Sequence, residues 1–356
     1  MAAPRRSQRA LHILLLGALA VSLGSCGSPT DARSRLLRKN GQILFGRWTG
    51  TTRQLYTVNA DGTNLSAIPA PPIRPSDYAG VWSRDGAWIA MSAATPDDYQ
   101  VDVIDRHGSN LNTIATGLAF GPAWSPDGSR MAFTQYQVTG TAFGVKIATV
   151  ISVVSTAGGA ITQLTPSGAT NYQPTWSPDG RRIAFTNDSS GMGSIGVVDA
   201  TGANLRLLTH SAYGDVAPAW SPTADEIAFN RQMPSGGYEL HVMRGDGTGD
   251  RTVADNVSSP YPPYWSPDGT RLAFHTQVSG VTQIAVVNVD GTGYAQLTSL
   301  AAGAGLPTWS PDGTRIAFIS ADDIFVMNAD GTQPTNITQT PDIAENFPDW
   351  GALPPS

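Results

Sequence analysis

A repeated alternation of polar and apolar segments dominates the chain from residue 41 to residue 353. In most repeats a Trp is followed by a polar turn and then by a short apolar triplet. The triplets begin at Ile43, Ile89, Met131, Ile183, Ile227, Leu272 and Ile316. Short apolar runs bounded by turn residues are typical of β-strands. The pattern therefore predicts an all-β protein.

The period of the repeat indicates the architecture. The repeat tryptophans stand 41 to 52 residues apart, the length of one four-stranded propeller blade, and are Trp82, Trp124, Trp176, Trp220, Trp265, Trp309 and Trp350. The first triplet has no Trp before it, and the last Trp has no triplet after it. We therefore predict a seven-bladed β-propeller of four-stranded antiparallel blades, closed by N- and C-terminal strands that share one blade.

The turn sequences favour hairpins over metal sites. In Ser-Pro-Asp-Gly, as at 125–128, Pro presets the backbone and Gly accepts the left-handed conformation of a bulged hairpin. Asp-Gly-Thr, as at 290–292, is also hairpin chemistry. Preceding Asn residues give these turns a superficial likeness to calcium loops, but they lack the bidentate Glu of an EF-hand. We predict no metal and no cofactor.

The repeat as a whole resembles a known family. Pro-x-Trp-Ser-Pro-Asp-Gly, Ile-Ala-Phe, Asp-Gly-Thr and a closing Leu-Thr, as at 297–298, are similar to the TolB-type propeller repeat, also called the WD-like repeat. The resemblance covers residues 41–353 and implies the propeller fold. It implies no single function, because the family includes scaffold proteins and the propeller domains of peptidases. The chain departs from TolB in having no room for an N-terminal α/β domain, in seven predicted blades instead of six, and in its predicted lipid anchor.

Residues 1–25 predict a lipoprotein signal peptide. Three Arg and no acidic residue precede the apolar stretch Leu11–Leu23, which matches a secretory signal and is too short to span a membrane. The following residues lead to Cys26 through Gly and Ser and resemble the bacterial lipobox. Cys26 is then the acylated first residue, and residues 26–40 form a polar tether. The alternative is an ordinary signal peptide with an incidental Cys.

Charge and cysteine content limit the partners. The chain has 22 basic and 28 acidic residues, and loss of the signal peptide makes it more acidic, so a nucleic-acid partner is disfavoured. A single Cys cannot form an intramolecular disulfide. We predict a monomer in the bacterial cell envelope, on the periplasmic or cell-surface face. Its expected partners are an envelope protein or a glycan and, through Cys26, a membrane.

A candidate ligand-binding mouth lies in the connections before the repeat tryptophans. Aromatic residues recur four positions before Trp, and polar residues recur five positions before it. The set is Asp77, Tyr78, Phe120, Asn171, Tyr172, Asp215, Tyr261 and Glu345. Equivalent offsets reach the same radius in a propeller, so these side chains are expected to surround the channel mouth and bind a peptide or sugar. The alternative is structural, with aromatics packed between blades and polar residues capping strands.

Catalytic signals are few. The sequence contains no Gly-x-Ser-x-Gly elbow, His-Glu-x-x-His motif or phosphate loop. Only His210 and His275 are expected at the looped face, near Asp215, where a metal or lyase-like site is conceivable. We predict a protein- or glycan-binding scaffold that is not an enzyme. The alternative is a propeller carbohydrate-active enzyme, similar to a polysaccharide lyase, with its site at the channel mouth.

Replacing Cys26 with Ala tests the predicted anchor. The variant should move from the detergent phase to the aqueous phase in a partitioning experiment, because the only acyl acceptor is lost, and its melting temperature should not change. Ser25→Ala keeps a small residue before the Cys and should stay in the detergent phase. Equal membrane retention of Cys26→Ala would contradict the lipoprotein interpretation.

Overall fold

The computed structural model describes residues 39–48, 50, 53–69, 80–94, 99–141, 144–340 and 342–354. The predicted signal peptide, Cys26, nearly all of the predicted tether and the mouth residues Asp77 and Tyr78 lie outside these ranges. Within them every regular element is a β-strand, so the protein is all-β as the repeat predicts. The same residues contain no helix long and apolar enough to cross a bilayer.

The strands are short and follow one another at regular intervals. The first fourteen are β1 (Asn40–Trp48), β2 (Arg53–Val58), β3 (Ser66–Ala67), β4 (Val81–Trp82), β5 (Trp88–Ala94), β6 (Tyr99–Asp105), β7 (Asn112–Ala115), β8 (Ala119–Trp124), β9 (Arg130–Thr141), β10 (Gly144–Ser155), β11 (Thr162–Gln163), β12 (Asn171–Trp176), β13 (Arg182–Asn187) and β14 (Ser194–Asp199). The others are β15 (Arg206–Leu207), β16 (Asp215–Trp220), β17 (Glu226–Gln232), β18 (Tyr238–Arg244), β19 (Arg251–Val257), β20 (Tyr264–Trp265), β21 (Arg271–Val278), β22 (Val281–Asn288), β23 (Ala295–Gln296), β24 (Gly305–Trp309), β25 (Arg315–Ser320), β26 (Asp323–Asn328), β27 (Thr335–Asn336) and β28 (Glu345–Ala352).

The strands pair into antiparallel sheets of four. Separate sheets have the orders β28-β1-β2-β3, β4-β5-β6-β7, β8-β9-β10-β11, β12-β13-β14-β15 and β24-β25-β26-β27. The sets β16-β17-β18-β19 and β20-β21-β22-β23 join into one larger sheet, through the single pair of Val257 and Thr276. Every repeat Trp lies at or near the end of the first strand of its set, and we call β4, β8, β12, β16, β20, β24 and β28 the Trp-bearing strands.

Each repeat Trp packs against the set that precedes its own. Trp176, for example, lies in a core cluster with Ala132 and Ile151 of the preceding set and with Ile183 and Phe185 of its own. All seven repeat tryptophans are 2 to 7% exposed. An indole of this size excludes water from the junction and contributes several kcal/mol when fully buried, about 3 to 5 on the scale of Trp→Ala substitutions.

Polar contacts fix the position of these indoles. The Nε1 of Trp124, Trp176, Trp265 and Trp309 donates to the carbonyl oxygen of the residue before the preceding repeat Trp, at 2.9 to 3.1 Å. Over four of the rings lies an Arg from the start of the second strand of the preceding set, 4.6 to 5.4 Å from the ring centroid; the pairs are Arg130 with Trp176, Arg182 with Trp220, Arg271 with Trp309 and Arg315 with Trp350. The hydrogen bond satisfies the only polar atom of the indole, and the guanidinium adds a cation-π contact.

The Ser-Pro-Asp-Gly turns are stabilised by their own side chains. Ser177 Oγ donates to Asp179 Oδ1 at 2.6 Å and accepts the N–H of Arg182, while Asp179 Oδ1 accepts the N–H of Arg181. Gly180 has φ of 68°, the left-handed conformation that the turn requires. These contacts explain why the motif recurs so faithfully in the sequence.

A bulge interrupts most Trp-bearing strands at the third residue before the Trp. Gly121, Gln173, Ala217, Leu306 and Phe347 have positive φ of 50 to 63° at this position, and the register of pairing shifts around them. A side chain of the preceding set holds the bulge: Gly121 N donates to Ser92 Oγ at 3.1 Å, and Ala217 N to Thr186 Oγ1 at 3.0 Å. The bulge re-aims the connection that leads into each strand.

The two ends of the described chain share one sheet. β28 pairs with β1, with Ile43 opposite Trp350 and Arg47 opposite Glu345. Trp350 lies in a core cluster with residues of β1 and with Ile324 of the preceding set. β28 therefore contacts both β1 and the set of strands immediately before it in the chain.

Asp349 lies buried where this shared sheet meets β4. Its Oδ2 accepts the backbone N–H of Trp82 at 2.6 Å, whereas its Oδ1 has no hydrogen-bond partner among the described residues. Burial raises the pKa of this carboxyl to about 7. The folded protein therefore binds a proton at Asp349 far more tightly than the unfolded chain does.

Asp349→Asn tests this account through the pH dependence of stability. The folded-state pKa lies above the usual 3.8, so the free energy of unfolding should fall as the pH rises from about 4 to about 7 and then level off. A shift of this size corresponds to about 4 kcal/mol. Asn keeps the acceptor for Trp82 but cannot ionise, so chemical denaturation of the variant should lose most of this slope. A parental slope equal to that of the variant would refute the assignment.

Candidate functional site

A cleft of about 760 Å³ opens among the connections that precede β20, β24 and β28. The tight turns between β21 and β22 and between β25 and β26 complete its rim. Residues from three successive sets thus line it, among them Tyr261, His275, Gly303, Asp322, Glu345 and Phe347. This is the end of the sheets where the sequence predicts the mouth, and two predicted mouth residues, Tyr261 and Glu345, lie in it.

His275 is a buried, neutral side chain of the cleft. Burial lowers its pKa to about 4. Its Nε2 accepts the backbone N–H of Leu306 at 2.8 Å. Leu306 is a bulge residue, and His275 stands three residues after the start of its apolar triplet, as Ser92 and Thr186 do. His275 therefore performs in its repeat the structural task that hydroxyl groups perform in others.

Two aromatic side chains give the cleft its stacking surfaces. Tyr261 packs against the His275 ring with centroids 5.3 Å apart, and burial raises the pKa of its phenol. Phe347 contributes a second ring, with the Arg53 guanidinium 5.8 Å from its centroid. Side chains of this kind suit the faces of sugars and the apolar parts of peptides.

The carboxylate of Glu345 is engaged in an ion pair behind the cleft. Glu345 is 1% exposed, and Arg47 binds its Oε1 through both Nε and Nη2. Thr340 Oγ1 donates to the same oxygen at 3.0 Å. Arg47 in turn stacks on Tyr56, 4.4 Å from the ring centroid. Glu345 thus ties β28 to β1 across the register pair that the two residues form.

Small residues and one exposed acid complete the surface. Residues 302–305 read Ala-Gly-Ala-Gly and form part of the lining, so a ligand backbone can approach this segment closely. Asp322, in the turn between β25 and β26, is exposed, and its carboxylate forms no ion pair with any described residue. The cleft therefore offers a segment of small residues, two aromatic rings and one carboxylate outside any ion pair of the described residues.

The other described polar residues of the predicted mouth, Asp215 and Asn171, are buried in pairs. Asp215 is 0% exposed and binds Arg231, with Nε 2.7 Å from Oδ1. Asn171 is 1% exposed and accepts Asn187 Nδ2 at 2.7 Å. Each pair joins a Trp-bearing strand to the next strand of its set, as Glu345 and Arg47 do. The position five residues before Trp thus serves the repeat, which is the structural alternative stated above.

The other described aromatic residues of the predicted mouth, Phe120 and Tyr172, lie outside the cleft. Phe120 is 3% exposed and stacks on Tyr136 with centroids 4.8 Å apart. Tyr172 is partly buried, and burial and the nearby carboxylate of Asp188 raise the pKa of its phenol. The predicted aromatic residues therefore do not all surround one mouth: Tyr261 lines the cleft, whereas Phe120 and Tyr172 pack in other repeats.

The histidines and acids do not converge on a metal site in the described part of the chain. His210 is exposed, His275 binds Leu306, and Asp215 binds Arg231. No group of three His, Cys, Asp or Glu side chains there lies close enough to hold an ion.

Sequence reasoning missed Phe347, Asp322 and the segment 302–305. Phe347 stands three residues before Trp350, an offset that carries Ala, Gly, Gln, Pro or Leu in other repeats, so periodicity gives no signal for it. Asp322 lies in a two-residue turn whose residues both have positive φ. A search for equivalent residues in every repeat overlooks such singular positions.

The match to a family model decides the kinship of the chain. The model of the TolB beta propeller domain matches residues 80–236 and 232–351, which together span most of the chain. The chain belongs to this TolB beta propeller domain family.

Known TolB proteins are similar over part of their length. The Tol-Pal system protein TolB of Bordetella pertussis is 27% identical over 202 residues, which cover 45% of this chain and 44% of that protein. The chain thus matches less than half the length of this relative. The crystal structure of TolB from Acinetobacter baumannii superposes with a TM-score of 0.56 at 18% identity, covering 87% of this chain and 66% of that one.

The same fold also carries catalysis in other proteins. An oligogalacturonate lyase in complex with manganese superposes with a TM-score of 0.58 at 15% identity, covering 84% of this chain and 86% of that one. At such identities the likeness shows the fold alone. A TolB-type propeller is therefore established for this chain, and its activity has to be argued from the cleft.

Proposed function

We propose that this protein is a lipid-anchored scaffold of the bacterial envelope, which binds a protein or glycan through the cleft and catalyses nothing. One observation carries the proposal: the cleft exposes stacking surfaces, while its two buried titratable side chains have structural partners. His275 Nε2 accepts from Leu306 N, and Glu345 is paired with Arg47. A general base has to be free to take a proton, and a metal ligand has to be free to bind.

The partner is proposed from kinship and from the shape of the surface. The relative in Bordetella pertussis is named for the Tol-Pal system, which makes an envelope protein the first candidate. Tyr261, Phe347 and the small residues at 302–305 suit an extended peptide or a short glycan, since rings supply contact area at low entropic cost. Cys26 supplies the membrane attachment in this proposal.

A second candidate is a lyase-like enzyme acting in the same cleft. It is favoured by the structural likeness to the oligogalacturonate lyase and by the presence of a His and a Glu in the lining. Catalysis would require His275 to leave Leu306 or Glu345 to leave Arg47. Each step would unpair a buried polar group and cost about 1 to 3 kcal/mol or more.

We also propose that the sets of four are seven blades of one closed ring. The packing of Trp82 against Leu44 and Leu55 supports a junction between the first and second sets. The packing of Trp350 against Ala317 and Ile324 supports a junction between the last set and the shared sheet. A ring of this kind needs no disulfide, because every set is covered on both faces by its neighbours.

Deleting residues 346–356 tests the ring. The truncation removes Trp350 and Asp349 and leaves one edge of β1 without β28, so the protein should aggregate or melt much earlier than the parent. Loss of one buried Trp alone costs about 3 to 5 kcal/mol of a typical total of 5 to 15. Deleting only residues 355–356 is the control and should be neutral. A long truncation as stable as the parent would refute closure by β28.

Tyr261→Ala tests the cleft as the binding surface. On a peptide and glycan array, the variant should lose about 1 to 3 kcal/mol of binding, as expected for an aromatic anchor. Tyr172→Ala removes the same side chain at the same repeat offset outside the cleft and should bind like the parent. If both variants bound equally well, Tyr261 would have only a structural role and the cleft would not be the binding surface.

The same protein preparations can distinguish the binding scaffold from the lyase-like enzyme. Metal analysis and an assay for unsaturated products from oligogalacturonate are carried out on the parent and on His275→Gln. A stoichiometric metal that is lost in the variant, or turnover that the variant abolishes, would overturn the non-enzymatic proposal.

A further inference from the structure

One hairpin extends well beyond the others. β9 and β10 have 12 residues each, against six to nine in the second and third strands of the other sets. Their register is continuous from the pair of Arg130 and Ser155 to the pair of Thr141 and Gly144. We call residues 136–141 and 144–149 the arm, because β8 and β11 pair only with the residues of the two strands outside these ranges.

At the outer edges of the arm, hydrogen bonds to the rest of the described chain are formed only at the base, and the backbone groups farther out have no neighbouring strand. Tyr136 N donates outward to Leu118 O at 3.0 Å, and Thr149 N donates outward to Ala169 O at 3.1 Å. Amides in a strand alternate in direction, so the N–H and C=O groups of Val138 and Gly140 also point away from β10. Tyr136 is the last residue of this edge with such a bond: no described residue forms a backbone hydrogen bond with the outward N–H and C=O groups of Val138 and Gly140.

Another segment of the described chain lies beside one edge of the arm but not beside the other. The β10 edge is approached by the chain that follows β11, since Thr149 forms a parallel bridge with Thr170 and Gln137 Nε2 binds Ser167 Oγ at 3.3 Å. The β9 edge has no such neighbour among the described residues past Leu118. The β9 edge at Val138 and Gly140 is therefore the open one.

The arm also lacks the usual protection of an exposed edge. Natural sheets guard such edges with charged side chains, Pro or very short strands. Here residues 131–155 contain one charged residue, Lys146, and no Pro. Val138 and its cross-strand partner Ile147 are 55% and 45% exposed. By contrast, the outermost strands β3, β11, β15, β23 and β27 have only two residues each.

We propose that the β9 edge of the arm binds an extended, uncharged polypeptide segment of another protein by adding it as a strand. Main-chain hydrogen bonds to Val138 and Gly140 hold the segment, and the apolar pair of Val138 and Ile147 receives its alternate side chains. A partner segment without charges matches an edge that has none, whereas an acidic or basic strand would lose solvation without gaining an ion pair.

A second copy of this chain does not suit the arm. Six residues of strand are about 20 Å long, and a two-stranded face of that length covers about 200 Å². A stable dimer buries about 800 Å² on each partner. The arm alone is too small for this, but it suffices for a short peptide. This site is distinct from the cleft, and the proposal does not rest on the function proposed for the cleft.

The test uses the full chain in detergent and a labelled octapeptide of alternating Thr and Val. Its binding is followed by anisotropy and by hydrogen exchange of the arm amides. The peptide should bind and should slow exchange at Val138 and Gly140. Val138→Pro removes one outward N–H without touching the bonds to β10, so binding should weaken by about tenfold or more. Val138→Thr keeps that N–H and changes only one side chain of the apolar pair, so its binding should weaken much less than that of Val138→Pro.

Each alternative outcome overturns the proposal. The same peptide with N-methylated amides along one edge should not bind; if it binds equally, main-chain pairing is wrong, whether or not Val138→Pro folds. Failure of the peptide to bind, or unchanged exchange at Val138, rejects strand addition. Dimers of the free protein that sediment as such and are lost in Val138→Pro would assign the edge to a second copy instead.

Discussion

The tryptophan at the junction of neighbouring sheets is the contact on which the rest of the structure depends. Each indole is buried between two sets, and most donate their one polar hydrogen to the carbonyl of the preceding repeat. The indole therefore sets both the distance and the offset between sheets. In most sets a bulge lies three residues before the Trp and a self-bonded turn follows it directly, and in four sets an Arg covers the ring. A protein with one Cys has no covalent means of holding such an array together.

The strands and the hairpin turns could largely be predicted from the sequence, because nearly every set contains the same repeated motifs. Trp and the triplet that follows it mark the first two strands, and the turn residues mark the hairpins. The bulge was not predicted, since its residue varies from Gly121 to Phe347 and only the backbone conformation is shared. The length of the β9 and β10 hairpin was also missed, because a gap of 52 residues between Trp124 and Trp176 reads equally well as a loop.

The candidate site shows where repeat reasoning fails. Residues that recur at one offset from Trp hold neighbouring strands together, and for that reason Asp215, Asn171 and Glu345 are each buried with a partner on the adjacent strand. The surface available to a ligand comes from residues that differ between sets, such as Phe347 and Asp322. His275 is a singular residue in a shared position, and only its hydrogen bond to Leu306 reveals that it serves the fold.

The shared terminal sheet also determines the order in which the molecule can be completed. Gly41 and Trp350, which are hydrogen-bonded in that sheet, are 309 positions apart. The first sheet therefore stays one strand short until β28 has been synthesised and has reached β1. Closing so long a loop is entropically costly and slow compared with forming the local hairpins. Until then, the side of β1 that will receive β28 is an unpaired edge, so the newly made chain is most vulnerable to proteases and aggregation just before its final strand docks.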